Sequence, residues 1–410
     1  MIRSGMDFDP PDAVKPLLEK IESFVADVVI PAELQVLDVG FAHAAPQLRE
    51  LRARVRSEGM WGPQLPTELG GLGLGLVEHA LVSERLGRSP LGHYAFGCQA
   101  PDAGNLELLH KYGTREQQQT WLEPLARGDI RSCFSMTEPE NPGSNPTMMS
   151  CTARKDGPDY VIDGHKWFTS SADGAAFAIV MAVTDPSAPP HARASMIIVP
   201  TDSPGYELAR NIPIMGDPGG GYASHGEIWY RDVRVPQANR LGPEGAGFMI
   251  AQERLGPGRI HHCMRWIGIC ERVFDTMCRH ITRRRIDDES TLATRQIAQA
   301  WVAEARAEID AARLMVLHAA WTIEKKGFGA ARDQISLIKF YAANVMLRLV
   351  DRAIQLHGAL GITSDTILAY YYVHERGARI YDGPDEVHKM VVAKRILARY
   401  TSSGRPGTPG

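Results

Sequence analysis

The hydrophobic period of this 410-residue chain changes twice, and that change limits the fold more than any single motif does. Up to about residue 130 the apolar residues recur at helical spacing. Val14 to Val29 predicts a helix that stops before Pro31, and Val77 to Leu86 predicts another that ends at Gly87. The middle switches to short segments bounded by Pro, Gly and Asp. Tyr160 to Ile162 and His165 to Thr169 flank Asp163-Gly164, which predicts a hairpin turn, and Asp156-Gly157 predicts an earlier one. Phe177 to Val183, Ser195 to Val199 and Glu227 to Val235 read as further strands. From about Gly247 the helical period returns. Long segments run from Phe248 towards Arg284, from Gln296 to Lys326, from Ile335 to His357 and from Glu386 to Tyr400. The second closes on Lys325, Lys326 and Gly327, cations before a glycine, as a helix C-terminus favours.

Helices, then strands, then helices predict a multidomain α+β chain. Its expected parts are an N-terminal all-α domain (1–130), a central antiparallel β-domain (131–243), a C-terminal four-helix bundle (244–400) and a disordered tail (401–410). The length suffices for two to three domains with a large apolar core. A net charge of −3 gives no reason to expect nucleic acid or an anionic membrane as partner. Six cysteines show no metal-type spacing, and Cys263, Cys270 and Cys278 recur as on one helix face, so a reducing, cytoplasmic setting is expected. The run MIRSGMDFDPPDAV has no apolar h-region, and no run reaches the length of a membrane span.

The chemistry concentrates between Cys133 and Ala172. Phe134, Ser135, Met136, Thr137 and Glu138 are followed by Gly143, Ser144 and Asn145, and later by Lys166, Trp167, Phe168, Thr169 and Ser170. Hydroxyls, backbone donors and flat rings alternate, as a surface for a flat polar heterocycle requires. Read singly, Thr137 is also a turn cap and Phe168 a core aromatic. The Gly-rich run at Gly70, Gly71, Gly73 and Gly75 follows no predicted strand, so it reads as a tight inter-helix loop rather than a dinucleotide fingerprint. In Ile380, Tyr381, Asp382, Gly383, Pro384, Asp385, Glu386, a carboxylate precedes a Gly-Pro that can open a helix. Asp382 also suits a plain turn or cap. His261-His262 point about 100° apart on a helix, which favours packing over metal binding.

Taken in order, these motifs resemble the acyl-CoA dehydrogenase family, and within it the subgroup that contains the dehydrogenase domains of the human tenth and eleventh family members. The resemblance spans roughly residues 10 to 400. It implies FAD, with Phe134, Met136 and Thr137 facing the isoalloxazine ring and Ser144 near phosphate. Anchored on Lys166, the family's Trp-Ile-Thr run falls on Phe168, Thr169 and Ser170, with Phe168 stacked by the ring and Ser170 close to N5. Gln355, Gly358 and Ala359 match the run that contacts the pyrophosphate of a neighbouring subunit's flavin, and Arg285 matches a second such group. Asp288 stands there where Phe is usual, and Arg285 also reads as a solvated cation. Pro384 and Glu386 complete the cofactor set.

The same resemblance makes Asp382 the base of an α,β-dehydrogenation of an acyl-CoA thioester. The family's more frequent Glu is replaced by a side chain one methylene shorter. Arg259 would serve the CoA moiety, although Gly256 replaces the Asp that usually accompanies it. Ser144 and Gly383 would touch substrate, and Phe96 and Gln99 would line its pocket by position. The implied partners are the acyl-CoA, an acceptor such as an electron-transferring flavoprotein, and further copies in a homodimer or homotetramer. No metal, nucleic acid or membrane insertion is expected. Two alternatives stay open. One keeps the fold and changes the chemistry, to elimination on a 4-phosphorylated acyl-CoA or to a flavin oxidase with an Asp base. The other is a partner subunit of a hetero-oligomer.

Overall fold

The structure, a computed structural model, describes residues 9–402. The opening run up to residue 8 and the tail beyond Ser402 lie outside the described residues. Two compact units emerge. One comprises Lys15–Gly75 and Ser89–Gly258; the other holds Leu76–Arg88 and the chain from Arg259 onward.

The first unit carries the strands. β1 (Ser132–Ser135), β2 (Thr152–Asp156), β3 (Asp159–Ser170), β4 (Phe177–Val183), β5 (Ala194–Pro200), β6 (Tyr206–Asn211), β7 (His225–Pro236) and β8 (Arg240–Leu241) form one hydrogen-bonded system. Its order is β6-β7-β3-β2-β4-β5-β8, with β1 also on β4. Most pairings are antiparallel as expected, but β1 and β2 both meet β4 in parallel. β4 is buried along its whole length, because both of its faces are covered. Phe177, Ile179 and Met181 pack with Leu106, Leu109, Leu122 and Leu125 of the preceding helices. Ala178, Val180 and Ala182 face the other core, with Tyr160, Ile162 and Tyr230. Each fully buried Val, Leu, Ile, Met or Phe side chain among them contributes roughly 1.5–3 kcal/mol.

Two expectations fail here. Asp163-Gly164 is no hairpin turn. β3 runs straight through it, and the pairing with β7 shifts register between Ile162 and Gly164. A bulge takes up the same turn-prone residues, and Gly164 is required because a Cβ there would come within 2.6 Å of Cys151. The real turn is the earlier one, where Asp156 pairs with Asp159 around Gly157 at φ +58. Nor does the first helix stop before Pro31. Lys15–Phe24 widens to a π turn over Val25–Val29 and continues as Ile30–Val39. The π turn changes the bonding frame just where proline lacks its N–H, so the chain stays helical.

The second unit is helical. Gln296–Lys326, Arg332–His357, Ile367–Glu375 and Asp385–Ser402 pack with Leu76–Leu86 and with the Gly247–Arg283 helix from Arg259 onward. Glycines set the closest approach between helices. A Cβ on Gly268 would lie 2.1 Å from the Glu84 carbonyl, and one on Gly87 2.3 Å from that of Arg265. Arg313 clamps both oxygens of Glu84, at 2.9 and 3.0 Å. Among the described residues no helix is long and apolar enough to cross a membrane.

Candidate active site and flavin-binding surface

In the β-containing unit, the segment after β1 is pinned from below. Lys166 on β3 donates to the Met136 carbonyl and to Glu138 Oε1, each at 2.8 Å, and the Trp167 amide donates to the Thr137 carbonyl at 3.0 Å. Glu138 also receives the Ser150 and Cys151 amides, at 2.6 and 2.8 Å, and so closes the loop that carries Gly143 and Ser144. Burial alone would raise the Glu138 pKa; Lys166 and the two amides outweigh it and hold the carboxyl below its usual range. With the Met136 and Thr137 carbonyls engaged, the segment offers a ligand chiefly N–H donors and the Thr137 hydroxyl. Among the described residues that half-buried hydroxyl has no hydrogen-bond partner.

Thirty residues on, β3 breaks register again between Lys166 and Thr169. Phe168 sits in the left-handed region at φ +50; the residue is 43% exposed, its ring edge-on to Trp167 at 4.8 Å. Bulky residues avoid that backbone region, so the bulge holds Phe168 there. Thr169 turns inward to Ser135, hydroxyl to hydroxyl at 3.2 Å, and Ser170 Oγ meets His225 Nδ1 at 2.9 Å. A bare aromatic face beside N–H and O–H donors fits a flavin, whose pyrimidine edge presents mainly acceptors. Phe134 is half-buried under the Arg254 guanidinium, 4.3 Å from its ring. Phe96 and Gln99 are buried in the unit's own packing. Phe96 stands edge-on to Phe24 at 5.7 Å, and Gln99 donates to Asp102 at 2.7 Å.

In the helical unit, Asp382 lies between the Arg376–Arg379 turn and the Asp385–Ser402 helix, at φ +56, followed by Gly383 at φ +100. Three cationic or imidazole groups hold this segment by its carbonyls. Arg259 Nε and Nη2 donate to the Asp382 carbonyl at 3.2 and 3.0 Å, and His388 Nε2 meets the same oxygen at 3.1 Å. Lys339, fully buried, donates to the carbonyls of Ala378 and Gly383 at 2.7 and 2.9 Å. A non-glycine residue held in such a region stores roughly 1–3 kcal/mol. Burial lowers the pKa of Lys339 and Arg259, against the pull of Asp382. The His388 pKa falls to about 4, through burial and then Arg259.

The Asp382 carboxylate itself has His262 Nε2 at 3.4 Å from Oδ2. His262 was expected only to pack. Its ring lies 5.5 Å from that of Tyr381, whose hydroxyl takes hydrogen bonds from Arg265 and Trp266. The overlooked signal is the spacing of Arg259, His262, Cys263 and Trp266, which puts all four on one helix face. His261 points away, to His79 at 4.0 Å between ring centroids.

The residues matched to a neighbour's cofactor are exposed. Gln355 lies in the last turn of its helix, and Gly358 and Ala359 open the turn after it. Arg285 follows the helix ending at Arg283; it bonds the Asp288 carbonyl at 2.5 Å and has the Asp288 carboxylate 3.6 Å away. Ser144 and Glu386 are exposed, Pro384 and Gly383 half-buried. No group of three or more His, Cys, Asp or Glu among the described residues is placed to hold a metal.

Three successive family models match this chain. They are the N-terminal, middle and C-terminal domains of acyl-CoA dehydrogenase, over residues 12–129, 133–233 and 245–397. The chain belongs to the acyl-CoA dehydrogenase family. It is therefore an oxidoreductase, and FAD is its cofactor. It is 43% identical to the "Probable acyl-CoA dehydrogenase FadE2" of Mycobacterium tuberculosis over 94% of this chain and 95% of that protein. It is 38% identical to human acyl-CoA dehydrogenase family member 11 over 93% of its own length, yet it spans only 50% of that protein. Among solved structures, butyryl-CoA dehydrogenase from Megasphaera elsdenii matches with a TM-score of 0.82 at 26% identity, over 96% of this chain and all (100%) of that one. The FAD complex of PigA shares the fold, with a TM-score of 0.83 at 22% identity over 96% of this chain and 100% of that one. Acyl-CoA dehydrogenase identity accounts for the sequence of helical, β and helical parts. The identity to family member 11 supports the expected subgroup.

Proposed function

We propose that this chain removes the α proton of an acyl-CoA thioester and creates an α,β double bond, with Asp382 as the base. The observation that carries the reading is the clamp on Asp382. Arg259, His388 and Lys339 all grip main-chain carbonyls around it, holding an energetically costly backbone conformation at a carboxylate. Strain that several buried groups maintain together is expected where a side chain must be presented for chemistry. Asp382 takes the proton; FAD, when bound, supplies the acceptor for the β-hydride. An α proton is too weakly acidic for a carboxylate unless donors meet the thioester oxygen as charge develops there. The Asp382 amide is the protein's donor in this proposal.

Phe134, Met136, Thr137, Phe168, Thr169 and Ser170 are assigned to the flavin ring, Ser144 to phosphate and substrate, and Pro384 and Glu386 to the cofactor's edge. Arg285, Gln355, Gly358 and Ala359 are assigned to the cofactor of a neighbouring copy, which makes the enzyme a homodimer or a dimer of dimers. An electron-transferring flavoprotein is the proposed acceptor. Gly383 is assigned to substrate; Phe96 and Gln99, placed at its pocket by position, are buried and could only back the lining. The test is anaerobic bleaching of the FAD spectrum by a panel of acyl-CoAs. A panel that leaves wild-type FAD oxidised while phosphate or peroxide accumulates would replace this reading with the changed-chemistry one. Arg259, engaged on the Asp382 carbonyl instead of extending to a CoA, is the observation that favours that second reading.

A further inference from the structure

The clamp described above fixes the backbone around Asp382. Arg259, His388 and Lys339 bond to the carbonyls of residues 378, 382 and 383. None of those bonds sets the rotation of the carboxylate, and an aspartate keeps two side-chain torsions of its own. A base whose oxygen is misaimed by about 1 Å loses ~10²-fold in rate. His262 stands where that rotation can be set, with Nε2 3.4 Å from Oδ2 and its ring beside those of Tyr381 and Trp266, at 5.5 and 6.3 Å between centroids. Tyr381 is held in turn by Arg265 and Trp266, and Arg265 by Glu375, so the imidazole has rigid walls.

We propose that His262 is a positioning residue for Asp382, a neutral imidazole whose Nε2–H meets Oδ2 and so aims the carboxylate at the substrate's α proton. This rests on the reading of Asp382 as the base. Charge around the ring agrees with a neutral donor. Arg259 and Arg265 lie on its own helix, and Lys339 faces it from the Arg332–His357 helix. Glu375 is tied to Arg265, and His388 sits on the far side of the Asp382 carbonyl. Burial lowers the His262 pKa most, Asp382 opposes, and Arg265 and Lys339 lower it further. A charged His262 would bind Asp382 as an ion pair and blunt it as a base. A neutral one orients it at a smaller cost in basicity. At 3.4 Å the two groups are in electrostatic contact without hydrogen-bond alignment, and catalytic contacts often align only when substrate closes the site.

The test uses the FAD-loaded enzyme, anaerobic, with straight-chain acyl-CoAs from butyryl to palmitoyl, and follows the bleaching rate against pH. His262→Gln carries an amide N–H to about the place of Nε2; His262→Asn stops about one bond short. His262→Asn is expected to slow bleaching ~10- to 100-fold, with half-saturating thioester changed by less than about 2-fold. Its acid limb should move to higher pH, because a carboxylate that loses a donor becomes harder to ionise. His262→Gln is expected to keep most of the rate and the wild-type limb. Both variants matching wild type in rate and limb overturns the proposal. So does an equal loss in both with the limb unmoved, which describes mere packing. Should His262→Asn fail to retain FAD, His262→Gln decides alone: a displaced limb with normal FAD content overturns the role. Asp382→Asn, run alongside, separates the two failures. If it still bleaches, the base reading itself is wrong.

Discussion

Lys166 and Glu138 meet at 2.8 Å with side chains 0% and 2% exposed, and between them they fix the loop proposed to face the flavin. Lys166 also holds the Met136 carbonyl, and Glu138 holds the Ser150 and Cys151 amides. Removing either partner leaves a buried charge alone. Lys166→Met is expected to cost about 3–5 kcal/mol of stability, read by urea denaturation, and to lower FAD content as purified. Unchanged FAD content would detach this loop from the cofactor.

Asp382→Asn should keep FAD and ligand binding while bleaching slows by at least ~10²-fold. Asp382→Glu is the sharper variant. Aspartate tolerates the left-handed backbone at φ +56 better than glutamate does. The longer arm must also clear His262 at 3.4 Å. A loss of ~10²-fold is expected. Full activity in Asp382→Glu would show a pocket with room for the family's longer base.

Acid should loosen the helical unit. The folded pKa values of His388 and His261 are depressed, to about 4 and about 3, mainly by burial. Unfolded, both titrate near 6.5. Their contribution is complete above about pH 6.5, and it is lost as pH falls towards 4, because the unfolded chain then binds the extra protons. Each adds a slope on the order of 1.4 kcal/mol per pH unit within that window. Urea midpoints from pH 7 to 4.5 measure it. His388→Gln should remove one such increment, and an unchanged slope would count against its depressed pKa.

Gly268→Ala should be among the costliest single-methyl changes in the chain. The added carbon would stand 2.1 Å from the Glu84 carbonyl, a backbone atom that cannot swing aside. Overpacking of this kind costs about 1–3 kcal/mol, occasionally more. Thermal unfolding of the variant checks it, and a neutral result would mean that the helices slide readily.

Gln355→Ala and Arg285→Ala should weaken FAD retention and oligomer mass together, since a ligand shared between copies stabilises the assembly that binds it. The Arg285 effect should be the smaller, because Asp288 already draws on its charge at 3.6 Å. Wild-type affinity in both variants would remove the neighbour's-cofactor assignment.

Much of this architecture is legible in residue patterns because periodicity and caps are local. The Gln296–Lys326 helix has the bounds its pattern predicts, and β4 spans the expected residues. Local signals fail where tertiary context decides. Asp163-Gly164 carries strong turn chemistry, yet the strand on β7 turns it into a bulge. Pro31 reads as a stop, yet a π turn upstream keeps the helix going. His262 looked inert because its partner lies 120 residues away in sequence, on a loop whose left-handed bend no periodicity reveals. Lys339 was missed likewise, since a lysine in an apolar helix carries no mark of the carbonyls it will hold.

The helix Leu76–Leu86 has a consequence for how the chain is made. Its Ser83 bonds the His261 carbonyl across 178 positions, and its Glu84 bonds Arg313 across 229. On the ribosome, this helix emerges long before the segments that will cover it. Its apolar face must wait through the synthesis of every strand while the flanking segments can already assemble into their own unit. Non-local closure of this kind slows folding and exposes sticky surface. Truncated or stalled chains ending before Arg259 should therefore be the aggregating species in expression, and holdase chaperones should be found on this stretch first.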